Sequence, residues 1–91
     1  MISVKGTIKV KRTNGKIVTI DGSEFELENV STDTDRSMGT ERIYEGLYED
    51  AGLEVTLSVS EYPVGGYNSH DIEVAGGVLI EDNMRIEVQL E

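Results

Sequence analysis

The chain has no cysteine and no tryptophan, and only one phenylalanine, one proline and one histidine. Without cysteine there is neither a disulfide framework nor a thiolate metal site, a usage that suits a reducing cytoplasm. One histidine and no cysteine leave nucleophilic catalysis only serine or threonine, and no serine stands in a nucleophile-elbow context. The glycine pairs Gly65-Gly66 and Gly76-Gly77 lack the spacing and following lysine of a phosphate loop. No apolar run is long enough to span a bilayer, and lysines interrupt the N-terminus before a signal-peptide core can form. These absences point away from an enzyme, a cofactor and a membrane.

Acids are also missing from the first twenty residues, and lysine from the rest of the chain. Residues 1–20 contain Lys5, Lys9, Lys11, Arg12 and Lys16 and no acid, a local charge of +5. Residues 21–91 hold all 18 acids against Arg36, Arg42 and Arg85, a local charge of −15 within a total of −10. So acidic a chain disfavours nucleic acid and anionic membranes as partners and favours basic proteins, cations or plain solubility. Ile, Val, Leu and Phe make up 25 of 91 residues, and they alternate, so a folded single domain over 1–91 is expected.

Residues 2–12 alternate with period two, Ile2, Val4, Ile8 and Val10 against Ser3, Lys5, Lys9 and Lys11, which is a half-buried strand. A two-residue Asn14-Gly15 turn would put apolar residues on the lysine face. A three-residue Thr13-Asn14-Gly15 loop sets Val10 opposite Val18 and Ile8 opposite Ile20, so the hydrophobic pattern selects that register. Asp21-Gly22 then reads as a second hairpin turn, placing Val18 opposite Phe25 and turning Glu24, Glu26 and Glu28 outward.

Residues 31–39 read as a polar loop. Beyond it Ile43, Tyr44, Leu47, Tyr48 and Ala51 follow helical spacing, with Thr40 as N-cap and Gly52 as stop; Gly46 weakens that helix, and a strand through 42–49 is the rival. Leu53, Val55, Leu57 and Val59 form the next strand. Residues 71–80 read as one strand bent at Gly76-Gly77, with Ile72, Val74, Val78 and Ile80 on one face. A loop at 81–83 returns the chain into Met84, Ile86, Val88 and Leu90. The expected fold is α+β: about six strands of antiparallel sheet, small barrel or sandwich, with one short helix, in the order βββ-α-βββ. That order is similar to the element order of an oligonucleotide-binding barrel, with no motif of that family beside it.

The chemistry-bearing candidates are few. Asp33 and Asp35 open a stretch with the alternating oxygens of a calcium loop, but Met38 stands where the turn needs glycine and Tyr44 where a bidentate glutamate belongs. His70 and Asp71 are adjacent, and strand neighbours face opposite ways, so they are poorly placed to act together. The lysine stripe of residues 1–20 could track phosphates, yet it has no aromatic platform for bases. Two surfaces suit a protein partner: the loop carrying Tyr62, Tyr67 and His70, and the acidic stripe Glu41, Glu45, Glu49. The weakly charged final strand offers a sheet edge for a homodimer. The expectation is a non-catalytic cytoplasmic interaction module of the inhibitor, immunity or adaptor sort, without a cofactor. A small ligand- or cation-binding domain is the alternative. Strand one is expected to lie inside a sheet, with Glu87 or Glu91 near Lys5 or Lys9.

Overall fold

The computed structural model describes residues 2–35, 39–62 and 67–88, and at 33–35, 39, 67 and 88 the backbone only. Among the described residues nine strands follow one another: β1 (Ile2–Lys5), β2 (Thr7–Arg12), β3 (Ile17–Asp21), β4 (Glu28–Asp35), β5 (Gly39–Asp50), β6 (Leu53–Tyr62), β7 (Tyr67–Ala75), β8 (Gly77–Asp82) and β9 (Arg85–Val88). Every pairing is antiparallel, in a four-stranded sheet β4-β5-β6-β7, a three-stranded sheet β3-β2-β8 and the pair β1-β9. The expected α+β class is therefore wrong; the one helical element among the described residues is a 3-10 turn at Gly22–Glu24.

The helix expected over 40–51 is most of β5. Its apolar residues and its glutamates recur four apart, and four is a whole number of strand periods as well as about one helical turn. In β5, Tyr44 and Tyr48 face the core while Ile43 and Leu47 face out. Gly46 leaves room for the Phe25–Leu27 segment that crosses it. Ala51 and Gly52, both at positive φ (45° and 88°), make a two-residue hairpin turn from Asp50 to Leu53 rather than a helix stop.

The first hairpin has the expected register, Val10 opposite Val18 and Ile8 opposite Ile20, with Gly15 N donating to Arg12 O and Arg12 N to Lys16 O. The second expected hairpin is absent. Asp21 caps the 3-10 turn, accepting from Ser23 N while Glu24 accepts from Asp21 N. That turn carries the chain out of the small sheet and toward the large one. Residues 31–35, expected in a loop, continue β4.

At the C-terminal end, β8 and β9 form no hairpin. They run on in one direction, β8 against β2 and β9 against β1, so that residues 2–12 and 77–88 make one long ribbon bent in the middle. The bend needs Gly6: at φ +88°, an added Cβ would overlap the Asn83 carbonyl oxygen. Strand one is thus interior at β2. Its outer neighbour is β8 there and β9 only at β1, where Glu87 stands opposite Ser3.

Gly76, at φ +84°, passes the chain from β7 in the large sheet to β8 in the small one. The crossing inverts the face, which corrects the single-strand expectation for 71–80. Ile72, Val74 and Leu79 pack on the core, while Val78 and Ile80 are exposed. The inner faces of the two sheets share that core: Ile8, Val10 and Ile20 from one, Leu53, Val55, Leu57 and Val59 from the other, closed by Phe25 and Met84. Burying each such side chain contributes roughly 1.5–3 kcal/mol before entropy is counted.

Candidate functional site

With Leu53, Val55, Leu57 and Val59 buried, alternation turns Glu54, Thr56, Ser58, Ser60 and Tyr62 to the outer face of β6. The register then fixes their neighbours. Glu49 lies opposite Glu54, Leu47 opposite Thr56, Glu45 opposite Ser58 and Ile43 opposite Ser60. On the far side β7 adds Glu73 opposite Thr56 and Asp71 opposite Ser58, and β4 adds Glu28 opposite Glu45. Among the described residues these positions include no lysine or arginine. Arg42 stands on the other face, opposite Glu61.

Two rows of this face set glutamate directly against glutamate, Glu28 with Glu45 and Glu49 with Glu54. Like charges directly opposite on a sheet destabilise it. Val30 and Leu47, both more than half exposed, stand among these acids, and a shallow depression is lined by Glu26, Glu28, Val30, Glu45, Leu47 and Thr56.

Near the other end of the face Glu41 is held in place. Its Oε2 accepts from Ser60 Oγ at 2.7 Å and from Tyr62 OH at 2.7 Å. The Ser60 bond first, and the Tyr62 bond second, lower the Glu41 carboxyl below its ordinary value against a smaller opposing effect of desolvation. A carboxylate fixed by two hydroxyls stays charged and loses little freedom on meeting a cation.

The structure thus brings Glu41, Glu45 and Glu49 together on one face, but along a strand. Successive members are about 13 Å apart rather than the 5–6 Å of a helical stripe. The expected Tyr62, Tyr67, His70 patch is split. Tyr62 and Tyr67 are direct cross-strand partners at one end of the β6–β7 hairpin. His70 has the opposite parity, beside Val59, and its Nε2 lies 2.9 Å from Asp82 Oδ2. Asp82 Oδ1 accepts from Met84 N, so this pair ties the large sheet to the bend of the ribbon. Asp33 and Asp35 have strand backbone, opposite Glu41 and Gly39, rather than that of a calcium loop. Among the described residues no cluster of three His, Asp or Glu is arranged to hold a metal.

Sequence reasoning missed Ser60, the Glu41 ligand, and Glu61, a glutamate only 5% exposed at the inner end of β6. The alternation of Leu53 to Val59, carried two residues further, assigns both to their faces.

The outer face of the small sheet differs in kind. Lys11 lies between Ile17 and Val78, and Lys9 lies between Thr19 and Glu81. Lys9 Nζ is 3.4 Å from Glu81 Oε2, an exposed pair. A bulge between Lys9 and Val10 of the β2–β8 ladder leaves Ile80 half exposed. Arg12 does not face solvent with the lysines; it reaches the β5–β6 turn, bonding Asp50 Oδ2 at 2.9 Å and the Asp50 and Ala51 carbonyls.

Comparison with known proteins finds no family model, no curated protein and no solved structure that matches the chain. Among the described residues no helix is long and apolar enough to cross a membrane.

Proposed function

We propose that the chain is a non-catalytic protein-interaction module, of the adaptor, inhibitor or immunity sort, that receives a basic partner on the outer face of β4–β7. The observation that carries this reading is Glu41, ionised and held by Ser60 and Tyr62 on a face of carboxylates without a described cation. A guanidinium reaching it meets an acceptor already oriented. The opposed glutamates support the same reading. They are unfavourable within the free chain, and a cation placed between them relieves the repulsion. Val30 and Leu47 supply apolar contact beside the charge. A reducing cytoplasm is the compartment this reading assigns, because nothing in it requires a disulfide.

The test is titration of a fluorescent arginine-rich octapeptide at two salt concentrations, with Glu41→Gln against the exposed control Glu87→Gln. Both variants change net charge equally. Glu41→Gln is expected to weaken binding by about tenfold, the size of one charge-assisted hydrogen bond, and Glu87→Gln by less than about twofold. Equal losses would reduce the effect to bulk electrostatics and sink the anchor role.

A further inference from the structure

Among the described residues the five exposed large hydrophobic side chains, Ile17, Val30, Leu47, Val78 and Ile80, fall on two faces. Val30 and Leu47 stand among the glutamates of the large sheet. Ile17 and Val78 flank Lys11 on the small sheet, with Ile80 at its bulge beside Lys9. The large-sheet face sets its apolar centre among carboxylates, and the small-sheet face sets Ile17 and Val78 on either side of Lys11, the lysine of that face that Glu81 does not pair. We infer that the small-sheet face is a second docking surface whose occupant is the acidic face of another copy of this chain. Lys11 of one copy meets Glu45 and Glu28 of the next, and Val78 and Ile17 cover Leu47 and Val30. This rests on reading the acidic face as a docking surface and names one partner for it.

The geometry decides the kind of assembly. The inner faces of the two sheets share one core, so their outer faces look away from each other. A copy cannot satisfy its own second face, and a two-fold dimer would bring like faces together. The contact is heterologous and leaves one free face at each end, so association is head-to-tail and open. Its strength follows from area. Three strands about 4.8 Å apart and five residues of about 3.4 Å measure about 14 by 17 Å. That is well under the roughly 800 Å² per partner of a stable complex. Association belongs in the micromolar-to-millimolar range. The net charge of −10 opposes it at low salt, whereas at about 0.15 M, where the Debye length is about 8 Å, repulsion between whole molecules is screened and the contacts are not.

Sedimentation velocity of the intact chain, from 20 µM to about 1 mM in 0.15 M salt, reads this directly. The weight-average mass is expected to rise through dimer without a plateau. Lys11→Ser/Val78→Ser and Glu45→Ser/Leu47→Ser each remove one face at exposed positions, and circular dichroism with thermal melting verifies their folding. Each alone is expected to stay monomeric. Mixed in equal amounts they give a capped heterodimer and nothing larger, because one good face of each remains. A wild-type mass that stays constant overturns the proposal, as does association that survives in either variant or a mixture that stays monomeric. Titration of the same samples with the arginine-rich octapeptide separates the two readings. Wild type that stays monomeric yet binds peptide removes the second copy alone, and loss of both removes the acidic-face reading with it.

Discussion

The small sheet and the large sheet contribute inner faces to the same core, yet they treat charge on their outer faces differently. In the small sheet Lys9 is balanced by Glu81 across one strand pair, and Arg12 is turned away to bind the β5–β6 turn. In the large sheet glutamate opposes glutamate and the described outer positions hold no cation. The small sheet pairs Lys9 and Arg12 within the chain and leaves Lys11 for the contact proposed above. The large sheet tolerates repulsion that any lysine at Glu45 or Glu54 would relieve, and the basic partner proposed above would supply that cation. With β2 between β3 and β8, the lysines of β2 stand inside the small sheet rather than at its edge, and one of them is paired.

Four experiments press on this contrast. The largest effect is expected from Leu57→Ala, which empties a fully buried position on the large sheet. A loss of about 2–5 kcal/mol is expected in denaturant unfolding, in one transition reported equally by both sheets, since they share the core. Two separated transitions would make them independent units. Gly6→Ala strikes the bend between the β1–β9 pair and the small sheet, forcing a Cβ against Asn83 O at positive φ. It should cost about 2–3 kcal/mol by thermal melting, and a neutral result would contradict the bend of the ribbon.

His70→Ala breaks the seam, removing the bond to Asp82. It is expected to cost about 1 kcal/mol and to raise amide exchange at Met84, whose N–H is held by the same aspartate. Unchanged exchange at Met84 would show the seam to be inert.

The smallest effect concerns acid. The Glu41 carboxyl is lowered, chiefly by the Ser60 hydrogen bond and then by that of Tyr62. Its stabilising effect is fully present above the ordinary glutamate range and fades as pH falls through the lowered value. Asp21, lowered first by the Ser23 backbone bond, behaves the same way in the small-sheet region. Bulk stability mixes this loss with relief of carboxylate repulsion, so the measurement is residue-specific NMR titration. Ser60→Ala is expected to move Glu41 back toward the ordinary value and leave Asp21 where it is. A Glu41 that titrates at or above the ordinary value in the wild type refutes the preorganised anchor.

What the sequence made legible divides along the same line. The Thr13–Gly15 loop and the strict alternation of residues 2–12 carry the β2–β3 register, because turn chemistry and pattern agree there. Leu53 to Val59 read correctly as a strand for the same reason. Residues 40–51 misled because β5 carries apolar residues on both faces, Tyr44 and Tyr48 inward and Ile43 and Leu47 outward, and such a strand imitates a helical stripe. The bend at Gly6 and the crossing at Gly76 were illegible as such, since a glycine tells where the chain can turn but not that the next strand will change sheet. The Glu41–Ser60–Tyr62 arrangement depends on the β5–β6 register, so misreading β5 as a helix concealed it.

The pairing of β1 with β9 has a mechanical consequence. Ile2 lies opposite Val88 and Lys5 opposite Arg85, so the open end of this pair is where the first and last described strands leave the molecule. A force that separates those two points loads the ladder as a zipper, one rung at a time, rather than in shear across all rungs at once. The rupture would travel inward past the partly buried Ile2, Val4 and Ile86 to the Gly6–Asn83 bend and meet there the fully packed core, where Ile8 and Met84 are buried. In a force-clamp trace the chain should yield early and softly over the length of β1, then hold.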